Sequence, residues 1–510
     1  MAGNRTQKAI LNSTITLFCQ LVYLVISFVC RTIFTKTLGA EYLGVSGLFS
    51  NILTILSFAE LGIGSAMVYR MYEPLAKNDH EKLCQYIQLY RRVYTLIIAV
   101  IFAAGLALIP FIPYMVTAPD VKENVILLYV LYLTQTLVTY VFVYKKSILI
   151  ADQKSYVVNV YTQLFNIAMN IAQCIFLVVT HNFIIYCVLN IAFNLANNVV
   201  CSFRADKEYP YIRKKPKTKL SGDEIKGLFK DVKGLLLTKI ASTAFSGTDN
   251  IFISAFIGIK YVGILSNYTV FSSIINGVMN KIFDAVTASI GNLVATGEKS
   301  RSESVLKKLF FLNTTFYGYL SLGMLVLLRE FVMTIWLDAE YDLSQTVVTF
   351  VLIELFFRSI HYPLYMTRTA MGCFSEYKGL FAASAALNIG LDYLLVRPLG
   401  ISGLYIATII CRGITYLVDV WVVYQQQLKI SVWNYFSIVL KWLVFLAVCG
   451  FVMIRVSSII LLTGFAGFLL RGIVITGIYW LFYLLSFSRS EEFKYYIEMG
   501  KRFVCRKGRE

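Results

Sequence analysis

The sequence predicts an all-α integral membrane protein of about 14 transmembrane helices, built as two pseudo-symmetric six-helix lobes with two extra C-terminal helices. Three observations lead there: the apolarity of the chain, the one-sided placement of its basic residues, and a motif that it writes twice. Of its 510 residues 58% are hydrophobic, and the mean hydropathy is +0.67. A bilayer core about 30 Å thick takes roughly 20 apolar residues per helical span. Runs of that kind centre near residues 23, 56, 102, 136, 168, 192, 247, 276, 319, 356, 388, 413, 447 and 476. Eight prolines in the whole chain suit long helices, and the two-residue alternation of a membrane β-barrel is absent.

The net charge of +18 would suggest nucleic acid in a soluble protein. The positions of the charges exclude that reading. With the N-terminus inside, the outer loops carry only Lys36, Lys122, Lys260, Arg329, Arg397 and Arg455, while most of the other Lys and Arg fall in inner loops and tails. This is the positive-inside pattern and predicts a multi-pass membrane protein with both termini cytoplasmic. Anionic headgroups of the phospholipid bilayer are then the first partner of the basic excess, and no nucleic acid is expected. The ten Cys contain no C-x-x-C pair and read as small buried hydrophobes. The first span follows Met1–Lys8 with no small-residue cleavage site and is read as retained.

Gly39-Ala40-Glu41-Tyr42-Leu43-Gly44 returns as Gly258-Ile259-Lys260-Tyr261-Val262-Gly263, each time in a turn between two apolar runs. Three weaker echoes keep the same order at nearly the same offset. They are Val116-Thr117 with Met333-Thr334, Ser155-Tyr156 with Glu376-Tyr377, and Asn166-Ile167-x-x-Asn170 with Asn388-Ile389-x-x-Asp392. The repeat predicts an N-terminal six-helix lobe over 1–203, a basic cytoplasmic linker over 204–233 and a C-terminal six-helix lobe over 234–424. Helices 13 and 14 fill 425–488 and have no counterpart in the first half; a basic amphipathic tail over 489–510 is expected to rest on the inner leaflet. The linker, opened by the helix-start signal Ser221-Gly222-Asp223-Glu224, reads as solvated chain carrying an orientation signal, with a specific docking surface as the alternative.

Span by span, the polar residues form stripes. Asn12, Thr16, Gln20, Tyr23, Ser27 and Arg31 share one face of span 1, at 100° per residue, and Ser46, Ser50, Ser57, Glu60 and Gly64 share one side of span 2. Spans 5 and 6 are nearly free of charge. Span 7 gathers Thr238, Ser242, Ser246 and Asp249, and span 8 gathers Ser273, Gly277, Asn280 and Asp284 with Lys281 beside them. Span 10 stacks Glu354, Arg358, His361 and Tyr365, with Pro363 placed to kink it, and span 12 stacks Tyr405, Arg412, Tyr416 and Asp419. In a membrane such stripes face other protein or a water-filled cavity.

Ionisable groups at membrane depth cost a few kcal/mol each and need a partner, water or a function. Glu354 and Arg358 are i,i+4 neighbours, whereas Arg31 and Arg412 have no opposite charge within a turn, and guanidinium is the group best suited to phosphate. The candidate substrate-binding residues are therefore Arg31, Gln20, Ser27, Asp249, Ser246, Asn280, Lys281, Arg358 and Arg412. The ion-coupling candidates are Glu60, Asp249, Asp284, Glu354 and His361. Each has a plainer alternative: helix–helix pairing for the charge pairs, snorkelling for Arg31, a satisfied structural histidine for His361. No Gly-rich phosphate loop with Lys-Ser/Thr appears, no His/Cys cluster has metal-ligand spacing, and no large soluble segment could house an active site. Neither an enzyme nor a cofactor is predicted.

The repeat, the two extra spans and the N-in topology resemble the multidrug/oligosaccharidyl-lipid/polysaccharide (MOP) exporter superfamily, and within it the polysaccharide-transport branch of Wzx-type O-antigen and capsule flippases. The residues that carry the likeness are Leu38-Gly39-x-x-Tyr42-Leu43-Gly44, Ala59-Glu60-Leu61-Gly62-Ile63-Gly64, Leu387-Asn388-Ile389-Gly390-Leu391-Asp392 and Gly400-Ile401-Ser402-Gly403 with Ile406-Ala407-Thr408. The resemblance implies a cavity lined by spans 1, 2, 7 and 8 and alternating access. It implies export of an undecaprenyl-pyrophosphate-linked oligosaccharide, with a polysaccharide polymerase complex as a further candidate partner. An ion-coupled multidrug or cation antiporter and a membrane enzyme of polysaccharide assembly stand as alternatives.

Overall fold

The computed structural model describes residues 20, 22–60, 63–116, 120–152, 154–216, 218, 220–228, 232, 248–295, 299–370 and 378–507. It is helical throughout, with no strand among the described residues. Among those residues nine helices are long and apolar enough to cross a membrane, ten if one bent pair counts as a single span. Helix occupies every expected span centre except the one at 247, which lies outside the described residues. The chain divides into two compact units, Met1–Gly263 and Ile264–Glu510.

In the first unit, α1 (22–38) and α2 (Ala40–Leu56) meet at Gly39, whose φ of +92° is open to glycine and costly for other residues. α2 passes through a tight turn, Ser57–Glu60, into α3 (Ile63–Ala76). α4 (His80–Leu108) is capped by Asp79, whose side chain accepts from Lys82 N. α5 (Val125–Tyr140) and α6 (Val143–Ala151) form the bent pair, at 41°. The bend sits at Phe142, in the left-handed region at φ +62°, and Asn198 Nδ2 supplies a donor to the Val138 carbonyl beside it at 2.7 Å. α7 (Ser155–Thr180) and α8 (Phe183–Glu208) follow, and then α9 (Asp249–Phe256). Val45, Leu48, Phe49, Tyr129 and Phe183 are fully buried in the core of this unit.

The repeated glycine motif is a contact within the first unit. A Cβ on Gly44 would stand 2.1 Å from the Ile259 carbonyl oxygen, and one on Gly263 would stand 1.8 Å from that of Ala40. Two helix starts therefore touch backbone to backbone, each glycine against the carbonyl four residues before its counterpart, as small residues permit in membrane helices. The residues between the glycines do different work. Glu41 Oε2 accepts from Asp120 N at 2.9 Å, and the Tyr42 hydroxyl donates to Glu123 at 2.6 Å while accepting from Lys122 N at 3.1 Å.

The described part of 204–233 is not free chain. Gln85 donates to the Thr218 hydroxyl at 2.7 Å, Thr218 N donates to Glu81 at 3.2 Å, and Lys82 pairs with Glu224, so the segment lies against the start of α4. Lys82 holds the Glu224 carboxyl below its ordinary range through that hydrogen bond. The stretch therefore contacts α4 while Arg213, Lys214 and Lys215 remain exposed.

The second unit holds most of α10 (Ile259–Ala295), then α11 (Lys299–Glu330), α12 (Gln345–Ala370), α13 (Lys378–Leu399), α14 (Ile401–Val420), α15 (Val432–Ile459), α16 (Gly464–Phe487) and α17 (Glu491–Lys507). Helices α15 and α16, which have no counterpart in the first half, are bound into this unit. Trp442 stacks on Phe487 with ring centroids 4.2 Å apart, and the Tyr479 hydroxyl donates to Thr315 O on α11 at 2.8 Å. The tail helix α17 is fixed through Tyr496, which donates to Lys308 O at 3.1 Å.

Candidate functional site

The densest polar site lies between α12 and α14, where four of the expected residues come together with two others. Glu354 is buried with one oxygen shared by two guanidiniums: Arg358 Nη2 at 2.9 Å on its own helix and Arg412 Nε at 3.1 Å from α14. The Arg412 contact is ionic rather than an aligned hydrogen bond. Residues 354 and 358 stack because they are one helical turn apart, and Arg412 reaches the same carboxylate from the facing helix. Arg412 is thus not isolated as its own helix suggested. Its partner lies 58 residues earlier in the chain, beyond the reach of local spacing, as the difference 412 − 354 shows. Arg358 is the open member, with 39% of its side chain accessible against 14% for Arg412.

Two turns further along the same pair of helices the Asp419 carboxylate, wholly buried, takes His361 Nε2 at 2.7 Å and Arg368 Nε at 2.8 Å, one on each oxygen. Arg368 also lies over the Phe381 ring, 4.7 Å from its centroid. Sequence reasoning named His361 and Asp419 but missed Arg368. The signal was there, since 361 and 368 are seven apart and share a helix face. A third buried group sits between α13 and α14, where Asn388 Nδ2 lies 3.5 Å from both Asp392 Oδ1 and the Thr408 hydroxyl.

Arg471 is a structural residue. It pairs with Glu330 and donates to the Ile460 and Leu462 carbonyls at 2.8 and 3.0 Å, which satisfies the free carbonyls after α15. An open groove of about 610 Å³ on the α15–α16 face is lined by Leu440, Lys441, Val444, Val448, Phe482 and Ser486.

In the first unit the expected residues are spread out. Glu60 accepts from the Tyr94 hydroxyl at 2.5 Å, and Tyr90 donates to that hydroxyl at 3.4 Å. The tyrosines escaped sequence reasoning because they belong to α4, where they read as core aromatics. Gln20 is engaged by Gln163 Nε2 of α7 at 2.7 Å, so this member of the span-1 stripe faces a neighbouring helix. Ser27 and Arg31 are half-buried on α1, with Arg31 beside Tyr186 of α8. Asp249 is the first residue of α9. In the second unit Asn280 is exposed on α10. Ser246 and the side chains of Lys281 and Asp284 lie outside the described residues.

No family model and no curated protein matches the chain. Solved structures do. The lipid II flippase MurJ in an inward closed conformation aligns with a TM-score of 0.65 over 93% of this chain and 98% of that one, at 16% identity. An inward-facing multidrug resistance MATE family transporter of the MOP superfamily aligns with a TM-score of 0.61 over 81% of this chain and 96% of that one, at 15% identity. This chain has the MOP-superfamily fold. A mutant of the MATE transporter VcmN of Vibrio cholerae gives a TM-score of 0.55 over 83% of this chain and 97% of that one, at 14% identity. The MOP fold agrees with the repeat and the apolar spans. At these identities it establishes architecture and a multi-pass membrane protein, and function has to come from the site.

Proposed function

We propose that the chain is a flippase that carries an undecaprenyl-pyrophosphate-linked oligosaccharide from the inner to the outer leaflet of the bacterial cytoplasmic membrane by alternating access, for capsule, O-antigen or exopolysaccharide synthesis. The observation that carries this reading is the pair of guanidiniums on the single carboxylate of Glu354. Arg358 spends Nε and Nη2 on Glu354 and keeps 39% of its side chain accessible, so its remaining N–H groups can meet an anion. A pyrophosphate cannot enter hydrocarbon unaided, and such a site lowers that barrier. The likeness to the MurJ flippase over nearly the whole chain supports the reading, and the groove beside Lys441 is apolar enough to receive a hydrocarbon chain.

In this account Arg358 and Arg412 bind the pyrophosphate, and Arg31, Gln20, Ser27, Ser246, Asp249, Asn280 and Lys281 line its route. Glu60, Asp249, Asp284, Glu354 and His361 are the candidates for ion coupling. Among them the Tyr94-bound Glu60 and the Asp419-bound His361 have proton-exchanging partners in place. Those same two groups favour the second reading, an ion-coupled drug or cation antiporter, together with the MATE likeness.

The test is equilibrium binding of undecaprenyl pyrophosphate to the full chain in nanodiscs. Arg358→Gln is expected to weaken it by tenfold or more, since a charge-assisted contact contributes about 1.5–3 kcal/mol. Equal affinity in the wild type, Arg358→Gln and Arg412→Gln would remove the basis of the flippase reading.

A further inference from the structure

Helix α7 carries an amide stripe that the site described above does not use. Gln163, Asn166, Asn170 and Gln173 follow one another at spacings of three and four and fall within about 80° of one helix face. The whole of Ser155–Thr180 contains no Asp, Glu, Lys, Arg or His. At one end Gln163 donates to Gln20, ahead of α1, and at the other Gln173 donates to the Tyr186 carbonyl of α8 at 3.1 Å. The stripe thus runs along the seam between these helices, and Arg31 lies beside Tyr186 at its end.

Three of the four amides leave one end unspent. Gln163 Oε1, Asn170 Nδ2 and Gln173 Oε1 are buried without a hydrogen-bond partner. Asn170 is 7% exposed and Gln173 1% exposed. A buried amide left unsatisfied is destabilising, and membrane helices that use amides as glue pair them with one another. Three amides on one face thus each keep a buried polar atom that the described residues leave unpaired.

We propose that this stripe is the sugar-recognition element of the transporter. A carboxamide offers a donor and an acceptor in one plane, and a sugar hydroxyl both donates and accepts, so the two match with no charge to neutralise. A face of amides with no ionisable residue suits an uncharged, hydroxyl-rich group better than a phosphate, whose charge it cannot neutralise. The inference rests on the lipid-linked reading for the identity of the molecule that brings the sugars. It assigns the glycan to the amides of α7, within the first unit.

The experiment compares two fluorescent probes on the full chain in nanodiscs, undecaprenyl pyrophosphate alone and the same lipid bearing a tetrasaccharide. The wild type is expected to bind the second more tightly. In Gln163→Leu/Asn170→Leu that advantage disappears, a loss of tenfold or more, while affinity for the sugar-free lipid stays within twofold. Equal weakening of both probes, or no weakening of either, would overturn the proposal. The unfolding temperature of Asn170→Leu separates ligand recognition from glue. A value at or above that of the wild type is expected, because a half-spent amide is removed; a fall of several degrees makes the amide structural and ends the proposal. If the wild type binds neither probe, the lipid-linked reading fails, and the thermal result decides the status of the stripe by itself.

Discussion

The two copies of one short motif have taken opposite chemical courses. In α7 it reads Asn166-x-x-x-Asn170, and in α13 it reads Asn388-x-x-x-Asp392. The first copy stays neutral, with the buried Asn170 Nδ2 unpartnered in a helix free of charge. The second carries the wholly buried Asp392 carboxylate, with Asn388 Nδ2 3.5 Å from it and equally far from the Thr408 hydroxyl. The contrast extends beyond the motif. In the first unit Gln20 and Glu60 are met by uncharged partners, Gln163 and Tyr94, alongside one buried ion pair, Lys145–Asp206. The second uses full ion pairs: Glu354 with Arg358 and Arg412, Asp419 with Arg368, Glu330 with Arg471. Under the proposed function, these differences at a few buried positions would suit one copy to charge and the other to hydroxyl groups.

The largest effect is expected where that contrast is sharpest. Glu354→Gln leaves two guanidiniums without their carboxylate and should destabilise the second unit by about 3–5 kcal/mol, read as a lowered unfolding temperature in detergent. Adding Arg412→Met should restore much of the loss. The corresponding change in the first unit, Glu60→Gln, keeps an acceptor for the Tyr94 hydroxyl and should cost about 1 kcal/mol. Comparable losses from the two variants would break the comparison.

Exchanging the copies sharpens it further. Asn170→Asp places a charge in the neutral seam and should cost about 3 kcal/mol in the same measurement, whereas Asp392→Asn removes a charge from a polar site and should cost less. Gly44→Ala and Gly263→Ala test what the copies still share. Each adds a methyl group where a carbonyl oxygen stands about 2 Å away, so each should lower the unfolding temperature, and by similar amounts if the contact is as symmetric as its geometry.

Much of this was legible in advance. Apolar length located the spans, and the paired glycines announced a repeat because only glycine permits the approach at positions 44 and 263. Helical spacing found Glu354 with Arg358 and placed His361 on their face. What stayed hidden depends on which helix lies opposite. Nothing local to Arg412 points to Glu354, and Tyr94 looks like any core aromatic until Glu60 stands against it. The seam of α7 was overlooked for another reason. A stretch free of charge reads as inert when ionisable residues are taken as the mark of function, although amides carry the same capacity for hydrogen bonding.

A smaller effect belongs to the docked segment at the start of α4. The Glu224 carboxyl is held low by Lys82, so its contribution is present above the ordinary carboxylate value of about 4.3 and is lost as the pH falls through the lowered folded value. Hydrogen exchange across residues 209–228, corrected for the intrinsic rate, should rise below roughly pH 4 and stay flat from there to neutrality. In Glu224→Gln the rise should vanish, with exchange already faster at neutral pH.

The central claim is movement of a pyrophosphate-linked glycan, and a flipping assay reaches it most directly. Proteoliposomes carry a fluorescent undecaprenyl-pyrophosphate oligosaccharide, an external reductant reports its arrival in the outer leaflet, and runs are made with and without an imposed pH gradient or potential. Protein-dependent movement that falls at least tenfold in Arg358→Gln/Arg412→Gln is the predicted result. Movement that is unchanged in that variant, or none with any lipid-linked glycan while a cation is taken up under a gradient, would contradict the account and favour the antiporter.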